Sequence, residues 1–247
     1  MAEQKFPSEI IDLPSRGKVY PKDHPLASGK VELKYMTAKE EDILTSQNLI
    51  KKGVVIEKLL NSLILTEGVK VSDLILGDKN AIMVAARILA YGPEYTCEIQ
   101  NPNTGERFEH TFNLSSCPFK EIGNGIEGNI FETTLPASKK KVKFKLITGT
   151  EESAIDEELK ALKKLNAQVS SELTTRLKHI LVEIDGKSEQ SDINLFVDNM
   201  LSRDSLHLRQ EINKVAPDIE LTQEIDIEGE SVKVDIPMTA NFFWPAT

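Results

Sequence analysis

A repeat inside the chain limits its architecture more than any other feature. Residues 31–43 (VELKYMTAKEEDI) lie over residues 142–154 (VKFKLITGTEESA) at a constant offset of 111. Five positions are identical: Val31 and Val142, Lys34 and Lys145, Thr37 and Thr148, Glu40 and Glu151, Glu41 and Glu152. Further on, residues 95–114 lie over 219–238 at an offset of 124. Gly105-Glu106 then falls on Gly229-Glu230, and Phe108, Phe112 and Leu114 fall on Val232, Ile236 and Met238. Self-similarity of this kind marks a supersecondary unit used more than once. The expected fold is α+β, built as two tandem related modules, each a strand, a helical cluster and a β-hairpin. The expected boundaries are an N-terminal extended arm at 1–30, a first module at 31–129 and a second at 130–247.

Periodicity fills in both modules. Val31, Leu33 and Tyr35 alternate with Glu32 and Lys34, which predicts a short strand. Thr37 followed by Glu40 is a capping-box pattern, and the helix it opens carries Ile43, Leu44 and Leu49. A second helix runs through Ile56, Leu59, Leu60, Leu63 and Ile64, and a third from Asp78 to the stop at Gly92-Pro93. The alternation of Tyr95, Cys97 and Ile99, then of Phe108, His110, Phe112 and Leu114, predicts a hairpin with one apolar face.

The back half repeats the plan. A hairpin is expected at 130–135 and 142–147, helices near 151–168, 173–181, 193–201 and 206–212, and closing strands near 219–227 and 232–236. The turns NPNTG (101–105) and IDIEG (225–229) occupy the place where a zinc ribbon carries Cys-Pro-x-Cys-Gly. Each is therefore expected as a zinc-ribbon-like β-hairpin lacking cysteine ligands, held by cross-strand packing. The first thirty residues, with Pro7, Pro14, Pro21 and Pro25, keep neither a 2.0 nor a 3.6 period and read as an arm.

Charge and motif content exclude several function classes. With 39 acidic against 30 basic residues the net charge is −9, which disfavours duplex nucleic acid, whose binding draws on phosphate neutralisation. No apolar run reaches the roughly 18–20 residues of a membrane span, since Arg87 interrupts AIMVAARILAYG. The opening MAEQKFPSEI lacks the apolar stretch of a signal peptide. Two cysteines form no disulfide framework, and Cys97 and Cys117, with His110 between them and no CxxC, are a poor zinc set.

No GxSxG occurs, and Gly123, Gly125 and Gly128 read as a loop rather than a phosphate cradle. The pairs Glu40-Glu41 and Glu151-Glu152 fit first turns of helices, where the dipole favours acids, better than acid–base chemistry. Arg87 and Arg209 are expected to pair with a carboxylate such as Asp78 or Asp204. The chain is expected to be no enzyme and to need no cofactor or metal.

What remains is binding. Leu13, Pro14, Arg16, Tyr20 and Pro21 of the arm are candidate partner contacts, as are Phe242, Phe243, Trp244 and Pro245 near the other end. Aromatic side chains often dominate interface energetics. The aromatic tail has two readings, tucked onto its own domain or docked on a partner. Removing residues 1–30 or 242–247 is expected to spare folding and abolish association.

Four stretches carry a resemblance: LPSRGKVYP, MTAKEEDIL, GDKNAIMVAARILAYGPEY and PMTANFFWP. In these the chain resembles the baseplate hub and hub-assembly proteins of T-even-type contractile-tailed phages, the myoviruses. Many members of that family carry cysteine pairs in the ribbon turns, which this chain lacks. The resemblance implies a late structural protein that is a hub component or a hub assembly factor, acting through protein–protein interactions. Its implied partners are other phage baseplate hub or tail proteins, with self-association as a further option. Its implied place is the host cell cytoplasm during assembly or the tail baseplate of the virion. The alternative is a nucleic-acid-binding regulator using a ribbon-like hairpin and the basic run from Lys139 to Lys145.

Overall fold

The computed structural model describes residues 7–101, 104–123, 125–165, 171–227, 229–238 and 242–244. The chain opens with an antiparallel pair, β1 (Ser8–Asp12) and β2 (Lys30–Lys34), in which Asp12 faces Lys30 and Ser8 faces Lys34. Alternation turns Val31 and Leu33 inward. Helices α1 (Ala38–Thr45), α2 (Gln47–Lys52) and α3 (Val55–Leu63) follow, with Gly53 taking the positive φ that ends α2. A 3-10 turn at Val71–Asp73 leads into α4 (Leu76–Tyr91), then the hairpin of β3 (Glu94–Gln100) and β4 (Arg107–Asn113).

After β5 (Phe119–Lys120), strands β6 (Phe131–Thr134) and β7 (Lys141–Phe144) begin a second hairpin. Helices α5 (Gly149–Leu165) and α6 (Glu172–Ile180) come next, and β8 (Leu181–Ile184) adds to the free edge of β7. Then come α7 (Gln190–Asp198), α8 (Ser202–Val215) and β9 (Asp218–Ile219), which pairs with β5. A last hairpin, β10 (Thr222–Ile227) with β11 (Glu230–Asp235), closes the chain. The fold is α+β, its strands in small antiparallel sheets. One cluster of buried side chains runs from Leu13 to Phe243.

Several contacts recur at the repeated positions. Glu40 accepts the Thr37 backbone N–H at 2.9 Å and the Thr37 hydroxyl at 2.6 Å, and pairs with Lys34 at 2.7 Å. Glu151 accepts the same two groups of Thr148 and pairs with Lys145 at 2.6 Å. These acids cap helices, as their place in the first turn predicts. Leu33 bridges to Ile64, just past α3, as Phe144 pairs with Leu181, just past α6.

Three expectations change. Residues 8–29 are not an extended arm: Ser8–Asp12 is a strand, and residues 13–29 are the long connection of its hairpin. Pro14, Pro21 and Pro25 sit in that connection, and the five residues of β1 show no alternation that would mark a strand. Helix α6 stops at Ile180, because Leu181–Ile184 gains backbone partners on β7 that another helical turn would forgo. In the last hairpin Ile225 and Ile227 belong to β10, with Ile225 opposite Val232 as Ile99 is opposite Phe108. IDIEG therefore does not superpose on NPNTG; three of its residues extend the strand.

Candidate protein interfaces

The residues singled out near the start converge on one carboxylate. Asp78, in the first turn of α4 and fully buried, accepts the Ser15 N–H at 2.9 Å, the Ser15 hydroxyl at 2.6 Å and the Tyr20 hydroxyl at 2.7 Å. The Tyr20 oxygen in turn accepts the Ile75 N–H at 3.1 Å. Burial pushes the Asp78 carboxyl up, opposed by the hydrogen bonds from Ser15 and Tyr20. Burial also drives the Tyr20 phenol up, and the neighbouring Asp78 adds to that. Leu13 is completely buried, and Pro14 and Tyr20 are buried with it. Asp204 plays a parallel part in the first turn of α8, accepting the N–H groups of Ala137 at 2.7 Å and Ser138 at 2.9 Å.

The aromatic tail is tucked. Phe242 stands edge-on to Tyr95 with ring centroids 5.1 Å apart, and Phe243 packs against Phe242 at 5.2 Å. Both are buried, the Tyr95 hydroxyl donates to the Pro237 carbonyl, and Trp244 is half-buried. Pro245 lies outside the described residues. As placed, the side chains of Leu13, Pro14, Tyr20, Phe242 and Phe243 are buried within this chain. Arg16 and Pro21 are exposed, and Arg16 meets Glu121 at 2.6 Å.

The two arginines do not find the acids expected for them. The guanidinium of Arg87 donates to the carbonyls of Gly92 and Glu94 at the end of α4 and lies 5.0 Å from the Tyr91 ring. A cation there meets the negative end of the helix dipole, while burial pulls its pKa down. Among the described residues Arg209 donates to the Ser205 carbonyl, at 3.4 Å. Asp78 and Asp204 are occupied by hairpin turns instead. No spacing rule reveals that, because each grip spans more than sixty residues.

A cleft of roughly 550 Å³ lies where the β1–β2 connection meets the second half, lined in part by Tyr20, Pro21, His24, Ile130 and Glu151. Its acids are already used: Asp73 faces His24 at 3.9 Å and Glu151 is capped. Burial pushes Glu151 up, but the bonds from Lys145 and Thr148 outweigh it and hold the carboxyl down at about 2. Among the described residues, no three of His, Cys, Asp and Glu come together as a metal set. Cys97 and His110 face each other across β3 and β4, while Cys117 accepts from Gln223.

Comparison with known proteins gives the cleft and its surroundings a context. The sequence profile of the family described as T4 bacteriophage base plate protein matches residues 8–244. The chain belongs to that family. No curated protein and no solved structure is similar to it. In this phage baseplate protein three of the five lysines of the basic run are paired in place. Lys140 pairs with Asp185 at 2.9 Å, Lys143 with Glu183 at 2.8 Å and Lys145 with Glu151. No helix among the described residues is long and apolar enough to cross a membrane.

Proposed function

We propose that this baseplate protein serves the hub of the tail baseplate, as a hub component or as a factor in hub assembly, and that it works by binding other phage proteins without turnover. The observation that carries the reading is the family match across residues 8–244. The use of its carboxylates supports it. Asp78, Asp204, Glu40 and Glu151 are all engaged in caps and turns, each accepting backbone N–H groups of its own fold. Among the described residues of the segments first singled out, the surfaces left for partners are Arg16, Pro21 and the exposed part of Trp244. Its place is the host cytoplasm while the baseplate is built, or the tail baseplate of the virion.

The test is co-expression of the full chain with the hub proteins of the same phage, followed by affinity capture and sizing. A stable complex with at least one hub protein is expected, and Arg16→Glu with Pro21→Ala should weaken it. Failure of every hub protein to bind the folded chain would overturn the reading. The regulator alternative has lost its main support, because three lysines of the run face carboxylates. A salt-dependent gel shift with mixed oligonucleotides would restore it.

A further inference from the structure

One contact between the halves of the chain is one-sided. The first half contributes the start of α4 and the residues just before it. There Ile75 bridges Thr148, the Leu74 carbonyl accepts the Gly149 N–H at 3.0 Å, and the Ser72 carbonyl accepts the Thr150 hydroxyl at 3.1 Å. Gly77 lies against Pro217, and Asn80 donates to Asp218 at 3.1 Å. The second half contributes the start of α5 and the residues just after α8. The two halves thus use different faces.

The equivalent positions can be read from the two buried aspartates. Asp78 and Asp204 are each the third residue of their helix and each grip a hairpin turn, with Ile75 and Leu201 as the N-cap residues. On that match Ile75, Gly77 and Asn80 correspond to Leu201, Arg203 and Leu206. All three of the latter are exposed, Leu201 by 56% and Leu206 by 49%, whereas Ile75 is 2% exposed. The opposite face behaves the same way. By the sequence offset of 111, Thr148, Gly149 and Thr150 correspond to Thr37, Ala38 and Lys39, and, counted from the helix ends at Tyr91 and Val215, Pro217 and Asp218 correspond to Pro93 and Glu94. Those five are exposed as well.

We infer that a second copy of this chain docks head to tail, its Thr37, Ala38, Lys39, Pro93 and Glu94 covering Leu201, Arg203 and Leu206 of the first. A heterologous contact made once within a chain leaves one face of each kind open at its two ends. The open faces suit each other. Leu201 and Leu206 supply apolar area, and Arg203, where the in-chain contact has Gly77, stands where the next chain brings Glu94. The fit is looser than the one inside the chain. A Cβ on Gly149 would stand 2.9 Å from the Ser72 Cα and one on Gly77 1.9 Å from the Pro217 oxygen, so Ala38 and Arg203 keep the backbones apart. Side chains therefore carry the contact, and it reverses on dilution. The inference does not depend on which hub proteins the chain binds.

Sedimentation velocity of the full chain over a concentration series tests it. The sedimentation coefficient should climb with concentration and pass the dimer value, since each dimer keeps two open faces. Leu201→Glu and Glu94→Arg should each weaken association by about tenfold or more, with unchanged circular dichroism. Mixing the two variants should restore one sound interface and give a 1:1 pair that grows no further. Ala38→Gly, which copies Gly149, should tighten association. A wild-type chain that stays monomeric at every concentration would overturn the inference. So would an unaffected Leu201→Glu variant, or a mixture that forms no pair.

Discussion

Gly77 and Pro217 touch so closely that a Cβ on the glycine would stand 1.9 Å from the Pro217 carbonyl oxygen. The obstacle is backbone, so a rotamer change cannot relieve it, and α4 would have to part from the 217–219 segment. Alanine normally favours a helix over glycine by about 1 kcal/mol. Here Gly77→Ala is expected to destabilise by about 3 kcal/mol, lowering Tm by roughly 6–12 °C. Gly149→Ala, whose nearest obstacle is 2.9 Å away, should cost less. Thermal melts of both variants check the order, and an unchanged Tm for Gly77→Ala would contradict this packing.

Asp78 ties the β1–β2 connection to α4. Asp78→Ala leaves the Ser15 N–H, the Ser15 hydroxyl and the Tyr20 hydroxyl buried without an acceptor, at a cost of about 3–5 kcal/mol. Tyr20→Phe removes one donor to Asp78 and the acceptor of the Ile75 N–H, and should cost about 2–3 kcal/mol. In a cycle with Asp78→Ala its effect should shrink, since one of the two bonds it loses is already gone. Urea unfolding of the three variants measures the coupling, and simple additivity would refute the network.

How far the sequence revealed this depended on the range of each interaction. The capping boxes at Thr37 and Thr148 were legible, because donor and acceptor lie three residues apart and the helix dipole favours acids there. The hairpin of β3 and β4 was legible from alternation alone. Strand β1 was not: five residues rich in acids, followed by a proline-broken connection, show no apolar face, with Ile10 pointing outward. The grips of Asp78 and Asp204 were misassigned to arginines, since only tertiary structure brings a carboxylate to a turn more than sixty residues away. The LPSRGKVYP stretch suggested a docking arm. Its Leu13 and Tyr20 turned out to be core residues, and that is where apolar side chains in a folded connection gain most.

Acid should act on the second capping box in a defined window. The Glu151 carboxyl, ordinarily near 4.5, is held at about 2 in the folded chain. A depressed acid stabilises the fold fully above its unfolded value and loses that contribution as pH falls towards the folded one. Allowing for the 24% exposure of its side chain, the contribution is on the order of 2 kcal/mol, lost between about pH 4.5 and 2. Glu40 is also held low, with burial opposed by bonds from Lys34 and Thr37, and acts in the same direction. Glu151→Gln should be less stable than wild type at pH 7, and the gap should close as pH approaches 2. A gap that stays constant over that range would count against the pairing.

The aromatic tail separates folding from binding. Phe242 is 1% exposed and packs against Tyr95 and Phe243, so Phe242→Ala should cost about 3–5 kcal/mol and lower Tm by roughly 10 °C. Trp244 is half-buried, so Trp244→Ala should cost less stability and leave a folded chain whose hub binding can be measured. If the tail served mainly as a partner anchor, the pattern would invert: Phe242→Ala would melt like wild type and lose binding. Differential scanning calorimetry of both variants, paired with capture of hub proteins, decides between the two. The burial of both phenylalanines puts the larger effect in the melting curve.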